Sequence, residues 1–191
     1  IDNKTFVDKY KLKNKFVISY LGRIQKYKGL DQVIKILPRL NKNIVFLAMG
    51  KDVGDKRRLV ELSKKLKVQD RVVFTGEIFD SDKLSGLDTS EIFIMPSEWE
   101  AFGIVILEAM ARGNAIISTK NEGAEFLVKK ENGLSYDFGD LKKLEDNINI
   151  LYKNKKLRDK LKKNNLKKSK DFLWKDIAKS LERIYQIEIV K

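Results

Sequence analysis

IFIMPSEWEAFGIVILEAMARGNAIIS, residues 92–118, holds a strand, a loop, a helix and a second strand in one stretch. Residues 92–95 form a short apolar, β-branched run, and Pro96-Ser97 punctuates its end. Segment 104–112 is apolar and long enough for a helix, and it delivers the chain to a second run of the same kind at 115–118. Two near-continuous apolar strands joined by a helical crossover make a parallel βαβ unit covered on both faces.

The alternation continues outward. Runs at 16–21, 44–49 and 72–75 read as buried parallel strands, and segments 30–40, 56–66 and 81–87 as helical crossovers. The predicted class is therefore α/β, a Rossmann-like doubly wound parallel sheet, whose ligands gather beyond the carboxyl ends of the strands. After Ser118 come a turn-rich stretch, a last strand at 133–136, and Asp140 as the N-cap of a helix over 141–151. Residues 1–14 read as a linker and start, and 153–191 as C-terminal helices. Pro38 ends a helix, and with no Gly/Ser-rich linker and no repeat, 1–191 reads as a single domain.

Apolar residues make up 42% of the chain, enough for a sizeable core. The absence of Cys excludes a disulfide framework, a thiolate nucleophile and a Cys-ligated metal, and the absence of His removes the commonest general base. Chemistry then falls to carboxylates, Lys, Arg, hydroxyls, backbone amides and the substrate, which suits transfer reactions governed by positioning and charge. A metal site made only of Asp and Glu stays conceivable, but no metal and no cofactor are predicted. The net charge of +13 attracts anions without choosing among them. Much of it sits in KNKKLRDKLKKNNLKKSK, 153–170, where Leu157, Leu161 and Leu166 recur at helical intervals. This reads first as a solvated helix face, then as a membrane-surface element, and last as a nucleic-acid binder, since no aromatics interleave the lysines. No apolar run approaches the roughly 18 residues of a membrane span. The start at Ile1 does not resemble a secretory leader, and the chain is expected to begin mid-protein, in the cytoplasm or at the inner membrane surface.

The chemistry-bearing residues cluster where strands end. The first strand exits into Gly22-Arg23-Ile24, and Lys28-Gly29 stand at the mouth of the next helix. Two cations at a helix start make a pyrophosphate site, with Gly22 allowing close backbone approach. Arg23 and Lys28 read equally well as ordinary loop charges on a lysine-rich protein. Glu100 and Glu108 stand eight apart, the first in a strand-to-helix loop and the second inside the apolar helix. Glu108 can accept two hydrogen bonds from a ribose diol, Glu100 can orient a sugar hydroxyl, and the amides of Phe102, Gly103 and Ile104 complete the cradle of a nucleotide sugar. Alternatively, Glu100 is a first-turn acid complementing the helix dipole and Glu108 a solvent-facing residue. Residues around Glu108 are apolar on all sides, so the helix should be mostly buried and the carboxylate should need a partner, which a ligand diol supplies. Gly50-Lys51 and Gly76-Glu77-Ile78 open on the same edge; backbone near Ile78 can bond a nucleobase, or Gly76 is a plain turn. Glu122-Gly123-Ala124-Glu125 is either a further post-strand loop or a helix N-terminal turn.

Together, LGRI with KG (21–29), LAMG (47–50), VVFTGEI (72–78), IMPSEWEAFGIVILEAMARG (94–113) and ENGLSYDFGD (131–140) resemble the C-terminal, donor-binding domain of retaining GT-B glycosyltransferases. The group is the glycogen-synthase and mannosyltransferase-like one, glycosyl transferases group 1. The resemblance covers nearly the whole chain and implies the second domain of a GT-B fold. It implies Arg23 and Lys28 on the donor diphosphate, Glu100 on the donor sugar and Glu108 on the ribose. It also implies transfer from a UDP-, GDP- or ADP-sugar with retention and without a required metal, the leaving phosphate assisting the incoming hydroxyl. Ile1 to Phe6 then correspond to an interdomain stretch, the N-terminal acceptor domain is missing, and Phe172-Leu173-Trp174 with 177–187 are terminal helices whose last packs back on that domain. NEGAEF at 121–126 departs from the Gly-Gly and Pro-Glu that the family carries there. The alternatives are a nucleotide-sugar epimerase of related architecture and a non-catalytic anion- or nucleic-acid-binding module.

Overall fold

The computed structural model describes residues 3–189. In chain order the elements are α1 (Asn3–Lys9), β1 (Phe16–Leu21), α2 (Leu30–Ile36), β2 (Ile44–Met49), α3 (Lys56–Lys65), β3 (Val72–Gly76), α4 (Asp80–Asp88), β4 (Ile92–Met95), α5 (Ile104–Ala111), β5 (Ala115–Thr119), α6 (Glu122–Leu127), β6 (Gly133–Tyr136), α7 (Leu141–Lys153), α8 (Lys155–Lys168) and α9 (Trp174–Ile189). The six strands form one parallel sheet in the order β3-β2-β1-β4-β5-β6. This is the predicted doubly wound α/β sheet. The chain moves outward from β1 through β2 to β3, then crosses to β4 on the other side of β1, so the switch point lies between β1 and β4.

Every residue of β1, β2, β4 and β5 is buried, so helices cover both faces of the central sheet. β3 was expected to be buried as well, but it is only half-buried throughout, because it is an edge strand. The predicted helix over 30–40 stops at Ile36 and tightens into a 3-10 turn, Leu37–Arg39, since Pro38 cannot continue the α ladder. Within the expected linker, residues 3–9 form α1 and bury Phe6, while Ile1 and Asp2 lie outside the described residues. The segment 122–125 takes its helical reading, with Asn121 accepting from the Ala124 amide as N-cap. Asp140 caps α7 through the Lys143 amide, as predicted. Among the described residues no helix is long and apolar enough to cross a membrane.

The lysine-rich 153–170 is interrupted at Asn154, whose side chain caps α8 through the Leu157 amide. Leu161 is buried as expected, but Leu166 is 45% exposed and its place is taken by two polar residues, Arg158 and Asn165. Arg158 reaches Glu91 and the carbonyl of Leu151, and it lies over the Phe16 ring. Asn165 is fully buried, donates to the carbonyls of Asn114 and Asn132, and accepts from Asn132 Nδ2. Leu at 165 therefore leaves two buried carbonyls and one amide without their partner. Asn165→Leu is expected to cost about 3 kcal/mol in urea unfolding, since each orphaned buried polar group costs about 1–3 kcal/mol. A loss under about 1 kcal/mol would show that water replaces the amide.

Candidate functional site

The carboxyl ends of the three consecutive strands on the β1 side are stitched edge to edge. The Gly22 amide donates to Met49 O (2.9 Å) and the Gly50 amide to Gly76 O (3.0 Å). Beyond them Ile24 N reaches Lys51 O at 2.8 Å. Gly22 and Gly50 sit at φ +147° and +135°, and a Cβ on Gly50 would fall 2.1 Å from Gly22 O. Glycine is required here because two backbones touch. Tyr20, fully buried, donates its hydroxyl to Arg23 O (2.8 Å), which pins the backbone where the loop leaves β1. Burial drives its phenol far above the ordinary tyrosine range, so it remains a donor. The Arg23 side chain is exposed, its guanidinium 3.4 Å from the Tyr27 hydroxyl.

Across the switch point the β1–α2 and β4–α5 loops are tied together. Glu98 N donates to Tyr27 O (2.8 Å), and buried Gln32 spans from Pro96 O (2.9 Å) to the Gly139 amide (2.9 Å). Gly29 takes φ +67° between a 3-10 turn, Lys26–Lys28, and α2, where any Cβ would meet Pro96 O at 2.2 Å. These constraints bring Lys28 Nζ to 2.6 Å from Glu100 Oε2, with side chains 12% and 18% exposed. Two residues predicted to hold adjoining parts of one ligand thus neutralise each other in the free chain. A recess of about 590 Å³, lined by Gln25, Tyr27, Arg58, Glu98 and Phe138 among others, flanks the same loop.

Glu108 departs from expectation. α5 is not buried all round: Ile106, Ala109 and Met110 face the core, while Ile104 is 60% exposed and Val105 and Leu107 are half-buried. The Glu108 carboxylate does have a partner, but within the protein: Lys83 Nζ of α4 at 2.9 Å, which also lies 3.4 Å from Asp80. The Glu108 hydrogen bond holds the Lys83 ammonium above its ordinary pKa against partial desolvation. Lys83 was missed, because a pair 25 positions apart on two helices leaves no mark in local spacing. Glu108 still keeps a side chain 34% exposed.

Gly103 caps α5 at φ +79°, with the Ile106 amide on its carbonyl. Phe102 is turned toward Phe126 of α6, ring centroids 5.9 Å apart. Gly123, the single glycine of the divergent NEGAEF stretch, donates to Glu100 O (3.1 Å), and a Cβ there would meet Glu100 O at 2.6 Å and Phe102 N at 2.7 Å. α6 therefore seats directly on the Glu100–Phe102 backbone, a contact that local sequence did not announce. Ile78, half-buried, follows Gly76 (φ +75°) between β3 and α4. Among the described residues no group of three or more acidic side chains converges as a metal site.

The assembled edge can hold an anion with Arg23 and Lys28, and it presents two carboxylates, each already set by a lysine. The chain is 32% identical over 146 residues to a lipopolysaccharide core biosynthesis glycosyltransferase, LpsE, of Rhizobium meliloti, covering 76% of this chain and 42% of the relative. Among solved structures, sucrose-phosphate synthase from Thermosynechococcus elongatus superposes with a TM-score of 0.85 at 26% identity, over 97% of this chain and 48% of that one. Anabaena HepE in complex with UDP and glucose does so with a TM-score of 0.87 at 22% identity, over 95% and 52%. The chain thus spans about half the length of the relatives it matches. The family model described as glycosyl transferases group 1 matches residues 2–168, which takes in every strand as well as Arg23, Lys28, Glu100 and Glu108, and the chain belongs to that family.

Proposed function

We propose that this chain is the donor-binding half of a retaining glycosyltransferase, which transfers a hexosyl group from a nucleotide-diphospho-sugar to a sugar or lipid-linked acceptor. The observation that carries the reading is the Lys28–Glu100 pair at the switch point, on the same loop as Arg23, with both cations set against Tyr27. A donor entering there exchanges the internal pair for its own charges: diphosphate on Lys28 and Arg23, sugar hydroxyl on Glu100. In the transfer step the bond from the anomeric carbon to the diphosphate oxygen breaks, and the acceptor oxygen bonds to that carbon on the same face. The acceptor proton passes to the departing diphosphate. Negative charge grows on the leaving group, and Arg23 and Lys28 stabilise it without a metal. Amides at Phe102, Gly103 and Ile104 border the sugar, and backbone near Ile78 borders the base.

That HepE is described in complex with UDP and glucose supports a nucleotide-sugar ligand for this relative of the same fold. Exposed Leu181, Ile184 and Tyr185 on α9 fit the acceptor-binding domain of the same polypeptide as the surface that covers them. A cytoplasmic reaction, where nucleotide sugars are at hand, accords with this reading.

The test is titration of the chain with UDP, GDP, ADP and their sugars while amide shifts are followed. Changes in the loops after β1, β2, β3 and β4 are expected, and unchanged spectra at millimolar ligand would overturn the reading. Glu108→Ala is expected to weaken binding of the nucleoside diphosphate about 10–100-fold, the loss of charged hydrogen bonds to a diol. Inorganic pyrophosphate should bind as before. Lys83→Ala should move nucleotide affinity the same way by a smaller factor, because it frees Glu108 to other rotamers instead of removing it. Calorimetry on the two variants checks both, and equal losses for pyrophosphate and nucleotide would separate Glu108 from the ribose.

A further inference from the structure

α8 divides lengthwise into two faces. Arg158, Leu161 and Asn165 are buried. Lys156, Lys160, Lys163 and Lys167 recur at steps of four, three and four, so they fall in one strip opposite that buried side. At about 1.5 Å per residue the strip is about 16 Å long. All four are exposed, and none has an ion-pair partner among the described residues. Neighbouring lysines of the helix differ: Lys155 pairs with Asp159, and Lys162 with Glu91. Exposed Lys153 and Lys170 prolong the same spacing past either end of α8. Like charges three and four apart repel, so the strip weakens its own helix, and no ion pair among the described residues offsets that repulsion.

What a rigid row of ammonium groups meets best is a flat, laterally mobile sheet of negative charge. The strip carries no aromatic side chain on which a base could stack, which disfavours single-stranded nucleic acid. Shortly beyond it, Leu173 and Trp174 are 43% and 80% exposed, an apolar pair of the kind that settles at a headgroup boundary. We infer that the lysine strip of α8 docks this domain on an anionic lipid bilayer. The inference goes beyond the donor reading and uses none of its residues.

Co-sedimentation of the chain with phosphatidylcholine vesicles, with and without about one-third phosphatidylglycerol, tests it. Binding only to the anionic vesicles is expected, with strong weakening by salt. The variant K156Q/K160Q/K163Q/K167Q should partition on the order of 10²–10³-fold less, about fivefold per lysine. A control of equal charge change, K13Q/K42Q/K64Q/K130Q, alters exposed lysines outside α8 and should retain most of the binding. Trp174→Ala should lower partitioning further at high salt, where the electrostatic part is screened. The control variant should keep the parent's circular dichroism melt, and the strip variant should melt at or slightly above it, since its like-charge repulsion is relieved. Equal losses in the two quadruple variants, absence of vesicle binding, or strip-dependent binding of a single-stranded oligonucleotide in place of vesicles would each overturn the inference.

Discussion

On the proposed donor-binding reading, Lys28→Ala is expected to lower turnover of the full-length protein about 10²–10³-fold, the range found when one preorganised donor to a developing anion is removed. Lys28 is held at 12% exposure between the Tyr27 ring, 4.9 Å away, and Glu100 at 2.6 Å, so its position is set before a ligand arrives. A group fixed in this way reorganises little as charge moves onto the leaving diphosphate. The loss should therefore appear mainly in kcat, with Lys28→Arg restoring part of it through charge at altered geometry. Glu100→Gln separates the two halves of the pair. Its amide no longer competes for the ammonium, so free nucleoside diphosphate should bind severalfold more tightly than to the parent chain, while turnover falls because a sugar hydroxyl loses its carboxylate. Calorimetry with the nucleoside diphosphate and steady-state rates with the nucleotide sugar read the two effects separately. Weaker binding of the diphosphate to Glu100→Gln would mean that Glu100 only props Lys28 up, and the division of labour proposed for the pair would fall.

How far this arrangement was legible follows from the range of the interactions. The central strands were readable because each is a short apolar run buried on both faces, and all six strands of the sheet begin and end within a residue of expectation. Edge position was not readable, and β3 is half-buried for that reason alone. α5 shows the limit of composition as a guide. An uninterrupted apolar stretch has no periodicity to tell which side packs, and the true core face, Ile106, Ala109 and Met110, emerges only in three dimensions. From the same cause a ligand diol was named as the partner Glu108 needs, although Lys83 already pairs with it. The clustering of Gly22, Arg23, Lys28, Gly50 and Glu100 followed from the rule that parallel strands end on a common edge. Contacts between helices and distant loops, such as Gly123 of α6 on Glu100 O or Gln32 of α2 on Pro96 O and Gly139 N, join positions far apart in the chain, and nothing local reports them.

Gly50→Ala should be among the most damaging single substitutions in this domain, at about 4 kcal/mol. Two costs coincide. At φ +135° an L-residue is strained by about 1–3 kcal/mol, and its Cβ would stand 2.1 Å from Gly22 O and 2.8 Å from Gly22 C. Both of those atoms are backbone, so no side-chain rotamer relieves the overlap. The ends of β1 and β2 must separate, which breaks the Gly22 N to Met49 O and Ile24 N to Lys51 O bonds and loosens the loop that carries Arg23. Gly76→Ala is the internal control, since Gly76 also has positive φ, +75°, but nothing lies within 4 Å of a Cβ there. It should cost only about 1 kcal/mol. At about 2–4 °C per kcal/mol for a domain of this size, the two variants should melt roughly 10 °C apart. Any Gly50→Ala protein that folds should also bind nucleoside diphosphate more weakly, because the displaced backbone is the one proposed to face the phosphates. Equal melting temperatures for the two alanine variants would show that the strand ends part at little cost, and that close packing of Gly22 on Gly50 is not what keeps Arg23 in register with Lys28.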